Sequence, residues 1–91
     1  MSLTPRETNQ FKKDMRRVMS QGKPFNEIRA AIVALVNQVT LDPKYGDHHL
    51  EGNWKGCREL HIKPDWLLIY KIVHEVLILE RTGSHSELLG K

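Results

Sequence analysis

At 91 residues, 40% hydrophobic and 27% charged, the chain has material for one core: a body of this size buries only about 60% of the surface its unfolded chain exposes. Residues 1–91 are therefore taken as a single domain, and a net charge of +3, from 14 Lys plus Arg against 11 Asp plus Glu, favours an anionic partner. The lone Cys57 excludes an intrachain disulfide or cysteine-rich zinc site, and no apolar run reaches bilayer length, so a cytoplasmic protein without membrane contact is expected.

From about Glu7 to Ser20, Phe11, Met15 and Met19 recur every four residues with Val18 beside them. Lys12, Lys13, Asp14, Arg16 and Arg17 fill the other positions, which predicts an amphipathic helix with a basic outer face. That face is either simply solvated or a grip for the phosphates of an anionic partner. Gln21-Gly22-Lys23-Pro24 breaks the helix, because glycine suits a C-terminal cap and proline the first turn of the next helix. Phe25, Ile28, Ile32, Leu35 and Val36 form a second 3.6-residue stripe ending near Asn37, and Leu41 to Asp47 is loop by composition.

The remainder predicts strands near His49–Glu51, Cys57–Ile62, Trp66–Val73 and Val76–Thr82, with His74-Glu75 closing a hairpin. Trp66–Val73 is apolar on nearly both faces, as a central strand would be. In the strand before it, Leu60 and Ile62 take one face while Glu59 and His61 take the other, away from the helices. The fold class expected is α+β: two N-terminal helices packed on a mainly antiparallel four- to five-stranded sheet.

His48, His61, Asp65 and His85 fall in the C-terminal half, interleaved with Trp54, Trp66, Lys55, Lys63 and Arg81. Histidine exchanges protons near neutrality, lysine and arginine hold phosphates, and tryptophan can stack on a base. RNA cleavage uses all three properties. Metal-independent cleavage needs a base for the ribose 2′-hydroxyl, an acid for the leaving 5′-oxygen and cations for the charge on phosphorus. Asp47 and Asp65 are too few for two-metal hydrolysis, and the histidines lack short chelating spacing. No metal and no cofactor are expected.

Asp47-His48-His49-Leu50-Glu51-Gly52-Asn53-Trp54-Lys55-Gly56, then Arg58-Glu59-Leu60-His61-Ile62-Lys63-Pro64-Asp65-Trp66, then Glu80-Arg81-Thr82-Gly83-Ser84-His85 resembles the YafQ group of the RelE superfamily of toxins. The resemblance covers roughly residues 47–90. It implies a RelE-like, microbial-ribonuclease-like fold and an endoribonuclease toxin that cuts messenger RNA in the ribosomal A site and is silenced by a cognate antitoxin protein. It further implies that His48, His61, Asp65 and His85 are the active-site positions, with His85 the proton donor and Trp66 beside them. The chain position of His85, just past a strand end, also suits presentation at a sheet rim.

The base is His61 or Asp65, and His48 completes a proton relay or holds a phosphate. Lys55 and Arg81 supply cationic support, although Arg81 has a rival role pairing with Glu80 or Glu59 across strands. Trp66 is either a stacking residue or core. His49 and His74 match no site position and are read as solvent-facing. Leu89 stands where the family usually has an aromatic, and leucine cannot stack on a base in the same way. The alternative function is a non-catalytic antitoxin- or ribosome-binding module that retains the fold.

Overall fold

The structure, a computed structural model, describes residues 2–90. Strand β1 (Thr4–Glu7) leads into helix α1 (Asn9–Ser20), helix α2 (Phe25–Val36) and a 3-10 turn at Pro43–Tyr45. A two-residue strand β2 (His48–His49) and a second 3-10 turn (Gly52–Trp54) precede β3 (Arg58–Lys63), β4 (Trp66–Val73), β5 (Val76–Gly83) and a short helix α3 (His85–Leu89). The five strands form one sheet in the order β1-β5-β4-β3-β2. β1 runs parallel to β5, and the other pairs are antiparallel. The α+β layout expected from the sequence is the one found.

β4 lies at the centre, and its alternation divides the core. Trp66, Leu68 and Tyr70 join Phe11 and Val18 of α1 and Ile28, Ala31 and Leu35 of α2 in the main core. Leu67 and Ile69 point to the opposite face, where they meet Cys57 and Leu88 of α3. A strand buried on both faces carries apolar residues at successive positions, and Trp66 to Tyr70 are all buried.

Two elements depart from the sequence expectation. β1 lies where only an approach to the first helix was expected; its four residues are all exposed, so no alternation marks it, and it exists through pairing with Val76–Leu79. The helix then starts at Asn9, capped by Thr8, whose hydroxyl accepts from Phe11 N at 3.0 Å. At the other end, α3 begins at His85, which the sequence placed just past a strand end with no helix expected. Ser84 and Glu87 form a reciprocal capping box there.

Asp14 is also not on a basic outer face. β1 ends at Glu7, leaving the edge of β5 open beyond Leu79, and α1 closes it with side chains. Asp14 Oδ2 accepts from Thr82 N at 3.2 Å, while Arg17 Nη2 donates to Thr82 O at 2.8 Å. The pair satisfies the donor and acceptor that a further strand residue would have met. A register shift between Ile69 and Tyr70, opposite Glu80, sets Arg81 beside Ile69 and Thr82 opposite Leu68. Such a bulge reverses the faces of all later residues.

Candidate active site

The face of the sheet away from α1 and α2 carries the site. Glu59 and His61, two residues apart on β3, project there together as the alternation of a strand requires, and β2 places His48 in register with Glu59. α3 begins at His85, so the capping box that starts the helix also sets where this histidine stands. Glu87 of that box is held from α1 by Gln21 Nε2 at 3.2 Å and Arg17 Nε at 3.1 Å. Its carboxyl lies below the usual range because it accepts from Ser84 N, an effect that outweighs desolvation.

The three rings line up. His48 and His61 have centroids 6.0 Å apart, and His61 and His85 5.7 Å apart. Glu59 lies beneath them, buried, with Oε2 3.3 Å from His48 Nε2 and 3.6 Å from His61 Nε2. Its Oε1 is buried without a hydrogen-bond partner among the described residues. His61 Nδ1 lies 3.3 Å from Tyr45 O, and His48 Nδ1 2.8 Å from Gly46 O. A carbonyl only accepts, so both Nδ1 atoms carry protons.

Asp65 serves His85. Its Oδ1 accepts from the His85 backbone N at 3.0 Å and from the ring Nδ1 at 2.7 Å. These two bonds, the backbone one first, hold the Asp65 carboxyl below its ordinary value. The carboxylate remains ionised at neutral pH, keeping Nδ1 of His85 the donor and leaving Nε2 as the nitrogen that can exchange a proton. Gly46 fits closely against His61: its φ is +55°, and a Cβ there would lie 3.2 Å from His61 Nδ1.

Of the residues singled out in the sequence, His48, His61, Asp65 and His85 come together. Lys55 is exposed in the turn after Trp54 and forms no ion pair among the described residues. Arg81 pairs with neither Glu80 nor Glu59: its Nε and Nη2 donate to Asp14 at 2.7 and 3.2 Å. Trp66 must be corrected from a stacking residue to core. It is 2% exposed and its indole N–H donates to Thr82 Oγ1 at 2.9 Å, so neither face of the ring is open to a base. Trp54, Leu88 and Leu89 pack around the second core instead. His49 and His74 are exposed.

Glu59 is the site residue that sequence reasoning passed over. The signal was present, since alternation put it on the same face as His61. A glutamate facing outward from a strand ordinarily meets solvent, however, whereas this one is buried with the rings of His48, His61 and His85 close to it. One oxygen of Glu59 and one ring nitrogen each from His61 and His85 lie within 4.8 Å of one another, close enough to share a single metal ion.

The architecture and this histidine–carboxylate face define a protein of the RelE-like α+β class. Residues 3–90 match the family described as the bacterial toxin of type II toxin–antitoxin systems, YafQ, and the chain belongs to that family. It is 39% identical over 84 residues, 91% of each chain, to the mRNA interferase toxin YafQ of Escherichia coli K12. Its fold superposes with a TM-score of 0.90 on the E. coli DinJ–YafQ toxin–antitoxin complex, at 36% identity over 99% of this chain and 100% of that one. A metal-bound toxin from Helicobacter pylori is similar at a TM-score of 0.89 and 40% identity, covering 94% and 98% of the two chains.

Proposed function

We propose that this toxin is an mRNA interferase, an endoribonuclease that cuts translated messenger RNA in the ribosomal A site. In this reading cleavage proceeds without a metal, by attack of the ribose 2′-oxygen on phosphorus. The observation that carries it is the His85–Asp65 dyad standing beside His61, whose Nε2 faces the buried Glu59 carboxylate at 3.6 Å. An acid and a base on opposite sides of one phosphate are what the transfer requires.

The 2′-oxygen forms a bond to phosphorus as its proton passes to His61, with the Glu59 carboxylate beside that ring. The bond from phosphorus to the 5′-oxygen breaks, and His85 Nε2 supplies the proton that this oxygen needs. Of the two bases considered from the sequence, His61 is retained, and Asp65 becomes the orienting partner of the acid. Lys55 supplies positive charge to the phosphate, with Arg81, held by Asp14, contributing less, and His48 completes the row of rings beside Glu59. One carboxylate at the centre of the site suits acid–base transfer better than a two-metal mechanism, which wants several.

A cognate antitoxin is the expected protein partner, by analogy with the E. coli DinJ–YafQ complex. Translated RNA places the activity in the cytoplasm, where a free, buried Cys57 is at home. Among the described residues no helix is long and apolar enough to cross a membrane.

Expression without an antitoxin should arrest growth and shorten the half-lives of translated messages, while untranslated RNA survives. Measuring transcript decay with and without a block on initiation checks this. Unchanged half-lives in cells that accumulate the folded protein would favour the binding-module alternative.

A further inference from the structure

On the side of the site away from His85, one short loop holds both remaining histidines. The carbonyls of Tyr45 and Gly46 are consecutive, and they receive His61 Nδ1 and His48 Nδ1 respectively. They thereby choose the tautomer of both rings and turn Nε2 of each toward Glu59. The loop has little internal support. It is a single 3-10 turn capped by Asp42, ending at left-handed Gly46 and followed by a two-residue strand.

Leu41 and Tyr45 pack the loop against the main core, and Asp47, between Gly46 and His48, ties its far end to the sheet by hydrogen bonds. Its Oδ1 accepts the Tyr70 hydroxyl at 2.6 Å, and its Oδ2 accepts Arg58 Nη2 at 3.1 Å, with Arg58 Nε 3.3 Å from both oxygens. Tyr70 and Arg58 are register partners on β4 and β3, so the clamp is anchored on two paired strands of the sheet. Burial first, and then the bond to Asp47, raises the Tyr70 hydroxyl above the ordinary phenol range, so it remains a donor in neutral solution.

We infer that Tyr70, acting with Arg58 through Asp47, is a positioning residue for RNA cleavage: the cluster fixes the loop whose carbonyls set the tautomers of His48 and His61. The inference rests on the assignment of those histidines to the cleavage site. Tyr70 touches no substrate in this account. Its contribution is the orientation of two rings, for which a displacement of about 1 Å can cost on the order of 100-fold in rate.

Tyr70→Phe removes one hydroxyl and keeps the ring volume, while Asp47, 22% exposed at its side chain, retains Arg58 and gains water. Single-turnover cleavage should fall roughly 10- to 100-fold, with the substrate concentration for half-maximal rate changed less than about twofold. Long-range imidazole nitrogen spectra should change from Nδ1–H at His48 and His61 to a tautomer mixture. A merely structural hydroxyl would leave those spectra alone. Asp47→Asn, which keeps the shape and loses the charge, should give the same spectral change and decides the matter if Tyr70→Phe does not fold. A rate within about twofold of wild type, or unchanged imidazole spectra, overturns the inference. His85→Ala run alongside separates the two levels. Slow His85→Ala with normal Tyr70→Phe refutes only the positioning role, whereas normal cleavage by both refutes the cleavage site itself.

Discussion

His85→Ala should cleave RNA roughly 10²- to 10⁴-fold more slowly than wild type, the usual scale for loss of a general acid. The fold should barely respond. The His85 side chain is 35% exposed, and removing its ring leaves Asp65, 70% exposed, free to hydrate, so no buried charge is stranded. The helix start survives as well, because Ser84 and Glu87 make the capping box without the imidazole. Thermal midpoint and single-turnover rate measured on one preparation give the comparison. Near-normal cleavage by a well-folded variant would remove His85 from the mechanism and move the acid role to His48 or His61.

Asp14→Ala should be the most damaging polar substitution, at about 3 kcal/mol. Removing one partner of a buried ion pair costs about 3–5 kcal/mol. The lower end applies because Arg81 and Arg17 are 24% and 32% exposed and can partly rehydrate. The loss also reopens the β5 edge at Thr82 N and frees Arg17, which braces Glu87 of α3. Cleavage should therefore fall as well, through His85.

The pH dependence has a definite sign. Burial raises the Asp14 carboxyl, but hydrogen bonds from Arg81, Arg17, Gln10 and Thr82 N outweigh it and hold the group below its unfolded value. A depressed carboxyl contributes stability above its unfolded pKa, about 3.9, that is lost as pH falls through the folded value. The stability gap between wild type and Asp14→Ala should thus be full at pH 7 and shrink below about pH 4. Urea denaturation across that range measures it, and a gap that stays constant into acid would contradict the account.

The layers of the fold were legible because periodicity carries them. The stripes through Phe11 and Val18, and through Ile28 and Leu35, face the sheet, and the unbroken apolar run of β4 is the centre strand. What escaped was set by long-range geometry. β1 is exposed and has no pattern of its own. The bulge opposite Glu80 decides which way Arg81 points, and no local signal announces it. Asp14 sits at helical spacing between Gln10 and Arg17 among basic neighbours, so its inward role depends on where β1 stops. Similarly, the motif residues His48, His61, Asp65 and His85 converge as their types suggested. Burial of Trp66 and of Glu59 follows from strand alternation combined with cover from helices and loops on each face.

The chemistry of the RNA ends reports which oxygen attacks phosphorus. Attack by the 2′-oxygen leaves a 2′,3′-cyclic phosphate or its 3′-phosphate product on one fragment and a 5′-hydroxyl on the other, because the 5′-oxygen departs with a proton from His85. Fragments of a translated message, cut by purified toxin, can be assayed by whether a kinase labels their 5′ ends directly and whether their 3′ ends resist ligation until dephosphorylated. The account predicts direct 5′ labelling and blocked 3′ ends; 5′-phosphates with free 3′-hydroxyls would mean that water is the nucleophile, and would contradict it.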